Sequence, residues 1–261
     1  MTITIRDLRT FKAEGLRFAM LTAYDHPTAR ILDEAGVPVI LVGDSVGRNH
    51  LGYPNELPVT MEDILHHTKA VVRGANTAMV VADMPFMSYQ ASVEEGVRNA
   101  GRLIKEGGAH AVKLEGPQYE LVHRLAEIGI PAMAHVGLTP QAVLGLGGYR
   151  VQGRGETGEQ VREQARQLEK AGAFAIVLEA MPSDLGAAIT AELEVPTIGI
   201  GAGADTDGQV LVVNDLLGLN EQVPKLAKKY ADVRTVIRDA AEAYVRDVAD
   251  GTFPDADHSY S

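Results

Sequence analysis

The chain has 261 residues, enough for one large α/β domain or two small ones, and its hydrophobic content of 46% is ordinary for a globular protein with a sizeable core. A formal charge of −11 with no basic tract argues against a nucleic-acid groove or an anionic membrane surface; no apolar run is long enough to span a membrane, and MTITIRDLRTFKAEG lacks the order of a secretory signal, so small-molecule partners and a cytoplasmic address are expected. Cysteine is absent, which removes disulfides, thiolate metal sites and a cysteine nucleophile and leaves oxygen or imidazole to hold any metal.

In chain order, short β-branched runs alternate with longer amphipathic stretches. Strands are expected at 18–23, 38–43, 78–83, 110–115, 131–136, 174–179, 196–200 and 209–213. Between them lie the helical patterns HPTARILDEAG, TMEDILHHTKAVVRG, SVEEGVRNAGRLIKEGG, PQYELVHRLAEIG, GEQVREQARQLEKAGA and PSDLGAAITAEL. Thr60 with Asp63 and Ser92 with Glu95 mark helix starts, and Gly36, Gly74, Gly107, Gly129 and Gly172 mark helix ends. Parallel strands with crossover helices follow, and eight such units in a chain of this size predict a (β/α)8 barrel, one domain over residues 1–261. An open doubly wound sheet is the alternative; against dinucleotide binding, no turn carries G-x-G-x-x-G, and GIGAG at 199–203 is too short a match. That stretch reads as a tight turn or as a phosphate cradle, and GLGGYRVQGRGETGE at 145–159 as a surface loop or as a lid whose Arg150 and Arg154 meet an anionic group.

Five of the runs stop on a polar residue: Asp44, Asp83, Glu115, His135 and Glu179. The C-terminal ends of barrel strands converge on the active site, so residues far apart in sequence meet there. Asp44 or Asp83 alone reads equally well as a helix cap or a solvated loop acid, but five residues in this one position argue for a site. Lys113 lies two residues before Glu115, so both side chains are expected to face the barrel interior, where a buried ammonium requires carboxylates or an anionic substrate beside it. Three carboxylates without a soft ligand suit Mg²⁺ or Mn²⁺, with a 2-oxo acid filling open positions. Glu179, set in AIVLEAMP, is the expected base for an α proton, because apolar surroundings disfavour the charged form of a carboxylate; an ion-paired core glutamate is the alternative.

The chain resembles the ketopantoate hydroxymethyltransferase family in LTAYDHPTARILDEAG, ILVGDSVG, LPVTMEDILHHTKAV, VVADMPFMSY, AVKLEG, AHVGLTPQ, GGYRVQGRG, VLEAMP, PTIGIGAG and the closing FPDADHSYS, in order along nearly its whole length. The resemblance implies a (β/α)8 barrel that transfers a hydroxymethyl group from 5,10-methylenetetrahydrofolate to 3-methyl-2-oxobutanoate, through an enolate stabilised by Mg²⁺, to give 2-dehydropantoate for pantothenate and coenzyme A synthesis. It also implies a homo-oligomer, commonly a decamer. Carried over residue by residue, Asp44, Asp83 and Glu115 match the metal-site acids, and Glu179 matches the base. Ser45, Asp83 and Lys113 match residues that hold the oxo acid, with Asp44 beside them. His135 matches a pocket position, either as a core histidine or as one that supports the site from behind. RNHLGYPNELPV departs from the loop expected after GDS, and no motif marks a folate site. Another Mg²⁺-dependent barrel, of the phosphoenolpyruvate mutase and isocitrate lyase group, would share acids at strand ends; the missing cysteine counts against the lyases. A barrel that binds a metabolite without turnover is the remaining reading, and the pairing of Glu179 with Lys113 argues against it.

Overall fold

The computed structural model describes residues 2–260. The strands are β1 Phe18–Thr22, β2 Val39–Val42, β3 Met79–Asp83, β4 Ala111–Glu115, β5 Ala132–Gly137, β6 Ala175–Glu179, β7 Thr197–Ile200 and β8 Gly208–Leu211. The helices are α1 Ile5–Ala13, α2 His26–Glu34, α3 Val46–Asn49, α4 Met61–Gly74, α5 Val93–Lys105, α6 Tyr119–Glu127, α7 Val143–Leu146, α8 Thr157–Ala171, α9 Ser183–Glu192, α10 Val213–Leu217 and α11 Val233–Ala249. Every strand is parallel to its neighbours, and β8 pairs with β1, so the sheet closes in the order β1 to β8. The expected (β/α)8 barrel is present, and a closed sheet excludes the open, doubly wound alternative.

The chain groups into two compact units, Met1–Val212 and Val213–Ser261. The first holds all eight strands. In the second, α11 buries none of its residues. No helix among the described residues is long and apolar enough to cross a membrane.

Inside the barrel, residues two apart share a direction. Phe18 and Met20, Val39 and Leu41, Met79 and Val81, Ala111, Met133, Ala175 and Val177, Ile198, and Val210 form one buried cluster. Leu8 of α1 belongs to it, with Ile3, Ile5 and Phe11 packed against it. Thr4 and Asp7 start α1 with a reciprocal capping box. Lys12 ties the same helix to Asp207 Oδ2 at 2.8 Å and to the Thr190 carbonyl at 2.9 Å. The lower layers of the barrel are therefore apolar.

The expected helix starts hold: Thr60 and Asp63 form a capping box, and the Ser92 hydroxyl accepts from the Glu95 amide. One expected helix end is corrected. Gly74 is the last residue of α4 rather than a left-handed cap; a Cβ there would press on the His26 carbonyl and Ala29, so its missing side chain serves the close passage of α4 against α2. Gly172, by contrast, does end α8 in the left-handed region, at φ 107°.

Candidate active site at the strand ends

The same two-residue alternation that fills the barrel carries its inward row on to polar ends: Met79, Val81, then Asp83 on β3; Ala111, Lys113, then Glu115 on β4; Met133, then His135 on β5; Ala175, Val177, then Glu179 on β6. Sheet register then decides who meets whom. Asp83 is paired in register with Lys113, and Glu115 with His135. Lys113 Nζ donates to Asp83 Oδ1 at 2.6 Å and stands 4.0 Å from Glu115 Oε1. The imidazole of His135 lies between two acids, with Nδ1 3.5 Å from Glu115 Oε1 and Nε2 3.2 Å from Glu179 Oε2; these are ion-pair contacts rather than aligned hydrogen bonds.

On β2 the inward row reaches Gly43, and Asp44 follows in the turn that opens α3. A Cβ on Gly43 would lie 2.7 Å from Ser45 Oγ and 3.4 Å from Asp83 Oδ2, so glycine is what leaves room for both. The Asp44 amide donates to Asp83 Oδ2 at 2.9 Å. Ser45 Oγ pairs with the buried phenol of Tyr24 at 2.8 Å. The sequence-derived candidates Asp44, Ser45, Asp83, Lys113, Glu115, His135 and Glu179 therefore form one connected cluster. All but Ser45 and Glu179 are buried.

Charge crowding sets the electrostatics. Burial, then the neighbouring Asp83 and Glu115, push the Asp44 carboxyl well above the usual carboxylate range. Glu115 is buried too, but contact with His135, the charge of Lys113 and the Gln141 amide outweigh burial and hold it below its ordinary value. Burial alone would lower Lys113; Asp83, Glu115 and Asp44 more than reverse that, so its ammonium is held. For His135, burial is likewise outweighed by Glu115 and Glu179, and its pKa rises to about 9.

Glu179 thus has an imidazole partner beside its apolar neighbours. Its direction is fixed by backbone geometry on both sides. Ala180 takes the left-handed region at φ 47° while its amide donates to the Ile200 carbonyl, and a Cβ on Gly137, at φ 94°, would overlap the Glu179 carbonyl oxygen.

A divalent cation was expected from the acids, and the residues suit one in three respects. The donors are all oxygens, Gly43 leaves a space that a side chain would fill, and Glu115 Oε1 is buried without a hydrogen-bond partner. No group of three or more His, Asp or Glu among the described residues stands in a ready-made ligating array. Protein hydrogen bonds occupy both Asp83 oxygens and one oxygen of Asp44 and of Glu115, while the second Glu115 oxygen faces His135 and Lys113 in ion-pair contact.

Three buried neighbours of the site escape a strand-end reading: Tyr24, Tyr89 and Gln141. They sit in connecting segments, where no periodicity points to them, although they fall inside LTAYD, MPFMSY and GLTPQ. In the 145–159 segment, the Gln152 backbone amide donates to the Ala180 carbonyl at 2.8 Å, and Tyr149, rather than Arg150 or Arg154, reaches a buried acid. Its hydroxyl donates to Glu56 Oε2 at 2.5 Å, and Arg48 covers its ring at 5.3 Å.

A closed (β/α)8 barrel with buried acids, a lysine and an imidazole gathered at its strand ends defines an enzyme with its site in the barrel mouth. The chain matches the ketopantoate hydroxymethyltransferase family over residues 2–256. Two relatives carry the name 3-methyl-2-oxobutanoate hydroxymethyltransferase. The one from Syntrophus aciditrophicus is 57% identical over 262 residues, covering 99% of this chain and 96% of its own. The one from Dehalococcoides mccartyi is 56% identical over 265 residues, covering 100% and 94%. The chain belongs to the ketopantoate hydroxymethyltransferase family and is a transferase. Solved structures of phosphonopyruvate hydrolase and of oxaloacetate acetylhydrolase with 3,3-difluorooxalacetate share the fold. Their TM-scores are 0.64 and 0.63, each at 14% identity, covering 100% and 98% of this chain and 92% and 90% of theirs.

Proposed function

We propose that this enzyme, acting in the cytoplasm, transfers a hydroxymethyl group from 5,10-methylenetetrahydrofolate to 3-methyl-2-oxobutanoate to give 2-dehydropantoate, a step towards pantothenate and coenzyme A. The observation that carries the reading is the run of contacts from Asp83 and Lys113 through Glu115 and His135 to Glu179, which sets a candidate base beside an acid-lined centre that holds one ammonium. Family membership and the relatives' names support the substrate and the group transferred.

Asp44, Asp83 and Glu115 would hold Mg²⁺. Bound there, the ion would supply Lewis-acid polarisation of the oxo acid's keto group. Ser45 and Lys113 hold the oxo acid, and the ammonium offsets its negative charge. Glu179 takes the proton from C3, and His135 holds the carboxylate in place for it. The electron pair left at C3 forms the new bond to the methylene carbon of the folate as that carbon's bond to one folate nitrogen breaks and the nitrogen takes up a proton. Water then replaces the second nitrogen on the same carbon, its hydroxyl completing the hydroxymethyl group and its proton leaving with tetrahydrofolate.

Self-association belongs to the same proposal. Helix α11 buries nothing of its own while exposing Val236, Ile237, Tyr244, Val245 and Val248, more apolar surface than a helix usually leaves to solvent. Light scattering on the intact chain measures the oligomer, with a decamer expected.

The reaction is tested by exchange of the C3 proton of 3-methyl-2-oxobutanoate in deuterated water, followed by NMR with and without Mg²⁺ and without folate. Mg²⁺-dependent exchange is the expected result. Its absence in the wild-type protein, even with folate present, overturns the reading.

A further inference from the structure

Gln141 and Tyr89 take no part in the proton and charge chemistry just described, yet they are 5% and 2% exposed and joined to two of the three rim acids. Gln141 Nε2 donates to Asp44 Oδ2 at 2.8 Å and to the Met84 carbonyl at 2.9 Å. A carbonyl can only accept, so the Met84 contact settles which end of the amide is nitrogen. Gln141 Oε1 then accepts from the Tyr89 hydroxyl at 2.7 Å and from Gln90 Nε2 at 3.0 Å. Tyr89 Oη in turn accepts from the Glu115 amide at 2.9 Å. The Gln141 backbone N–H donates to Glu115 Oε2, also at 2.9 Å.

Every hydrogen-bonding position of the Gln141 amide is filled, and the short bonds run one way, Glu115 N–H to Tyr89, Tyr89 to Gln141 and Gln141 to Asp44, the Tyr89 hydroxyl lying farther, at 3.4 Å, from the Glu115 carbonyl. This chain crosses from the end of β4 to the end of β2 and touches the segment after β3 on the way. Gln141 grips a single oxygen of each acid, Asp44 Oδ2 through its side chain and Glu115 Oε2 through its backbone N–H. Neither Gln141 nor Tyr89 touches Asp44 Oδ1 or Glu115 Oε1, and the latter is buried without a hydrogen bond, facing only the ion-pair contacts of His135 at 3.5 Å and Lys113 at 4.0 Å.

We propose that Gln141, backed by Tyr89, is a positioning residue that holds Asp44 and Glu115 by one oxygen each and so leaves the other oxygen of each for the divalent cation. The proposal rests on the function proposed above. A brace that served stability alone would need no particular oxygen left over. A brace that serves a cation does, because ligands held from behind lose little freedom on binding.

The test uses the full chain without substrate and Mn²⁺ as probe, with bound and free ion separated by electron paramagnetic resonance, alongside the C3 exchange assay. Gln141→Met keeps the length of the side chain and removes its polar ends. Mn²⁺ affinity is expected to fall roughly 10–100-fold while the circular dichroism spectrum is retained. Tyr89→Phe keeps the ring packed and removes the hydroxyl that joins Gln141 Oε1 to the Glu115 amide, and a smaller loss in the same direction is expected. Wild-type Mn²⁺ affinity in both variants overturns the proposal, whatever happens to their melting temperatures. If Gln141→Met does not fold, Tyr89→Phe decides alone, and wild-type affinity in it is the overturning result. A wild-type protein that neither binds Mn²⁺ nor exchanges the C3 proton overturns the proposed function and this inference with it, an outcome distinct from variants that bind normally.

Discussion

His135 Nε2 lies 3.2 Å from Glu179 Oε2, and the other ring nitrogen faces Glu115, so the candidate base is joined through one imidazole to an acid of the proposed metal site. The arrangement follows from strand register. His135 pairs with Glu115 across β4 and β5, and Glu179, opposite Gly137, reaches back one inward layer to meet the ring.

Glu179→Gln keeps the shape of this side chain and removes its ability to take a proton. C3 exchange is expected to fall by about 10²–10⁴-fold. The fold should be retained, with some loss of melting temperature because the carboxylate that helps hold the charge on buried His135 is gone; circular dichroism checks that the loss of exchange is not a loss of fold. Exchange at the wild-type rate would remove Glu179 as the base.

Asp44→Asn separates stability from function. Burial and two acidic neighbours disfavour the charge on Asp44, and asparagine still offers an oxygen to the Gln141 amide. The metal-free variant is expected to be more stable than wild type, by about 0.5–2 kcal/mol, while Mg²⁺-dependent exchange falls sharply. Urea denaturation in the presence of chelator measures the first, and NMR exchange the second. Unchanged Mg²⁺ dependence would take Asp44 out of the site.

Away from the site, Asp33 gives a pH-dependent contribution to stability. Its carboxylate accepts from the amides of Asn76, Thr77 and Ala78 at 3.0, 2.9 and 2.6 Å and from the Thr77 hydroxyl at 2.8 Å. Burial works to raise its pKa, but these bonds outweigh burial and hold it below the ordinary 3.8. A lowered folded-state value means that this stabilisation is complete above the unfolded value and is lost as pH falls through the folded one. Asp33→Asn should cost about 2–4 kcal/mol near neutrality. The gap from wild type, read from urea midpoints along a pH series, should narrow below about pH 3.8. A gap independent of pH would show that the charge is not what matters.

Tyr149→Phe tests whether the 145–159 segment is fastened. The change removes a donor from Glu56, which is 4% exposed and whose pKa burial raises, and leaves the 3.9 Å approach of Arg48 as its remaining charged contact. A cost of about 1–3 kcal/mol is expected, with faster amide exchange over residues 145–156 than elsewhere in the barrel. Uniform exchange rates would show that the hydroxyl does not hold this segment.

Legibility in the sequence varied with the kind of residue. Each of the eight strands was predicted within about two residues of its ends, because a buried parallel strand must be apolar on both faces and a turn must follow it. Asp83, Lys113, Glu115, His135 and Glu179 were legible for the same reason: they continue an inward row or stop it. The α1 helix, which lines the apolar end of the barrel through Leu8, and α11, which buries nothing, lay outside the alternation and were not predicted. Gly74 carried the signature of a helix end but serves helix packing, a distinction that depends on where α2 passes.

By itself the sequence determined which residues face inward, which strands end on acids, and which family the chain resembles, since these follow from side-chain alternation and from ordered motifs along one chain. Only the tertiary structure decided that Lys113 lies against Asp83, that His135 bridges Glu115 and Glu179, and that Gln141 reaches Asp44. Those contacts depend on strand register, on barrel closure and on the path of loops without period, and none of the three is written in the spacing of residues along a strand.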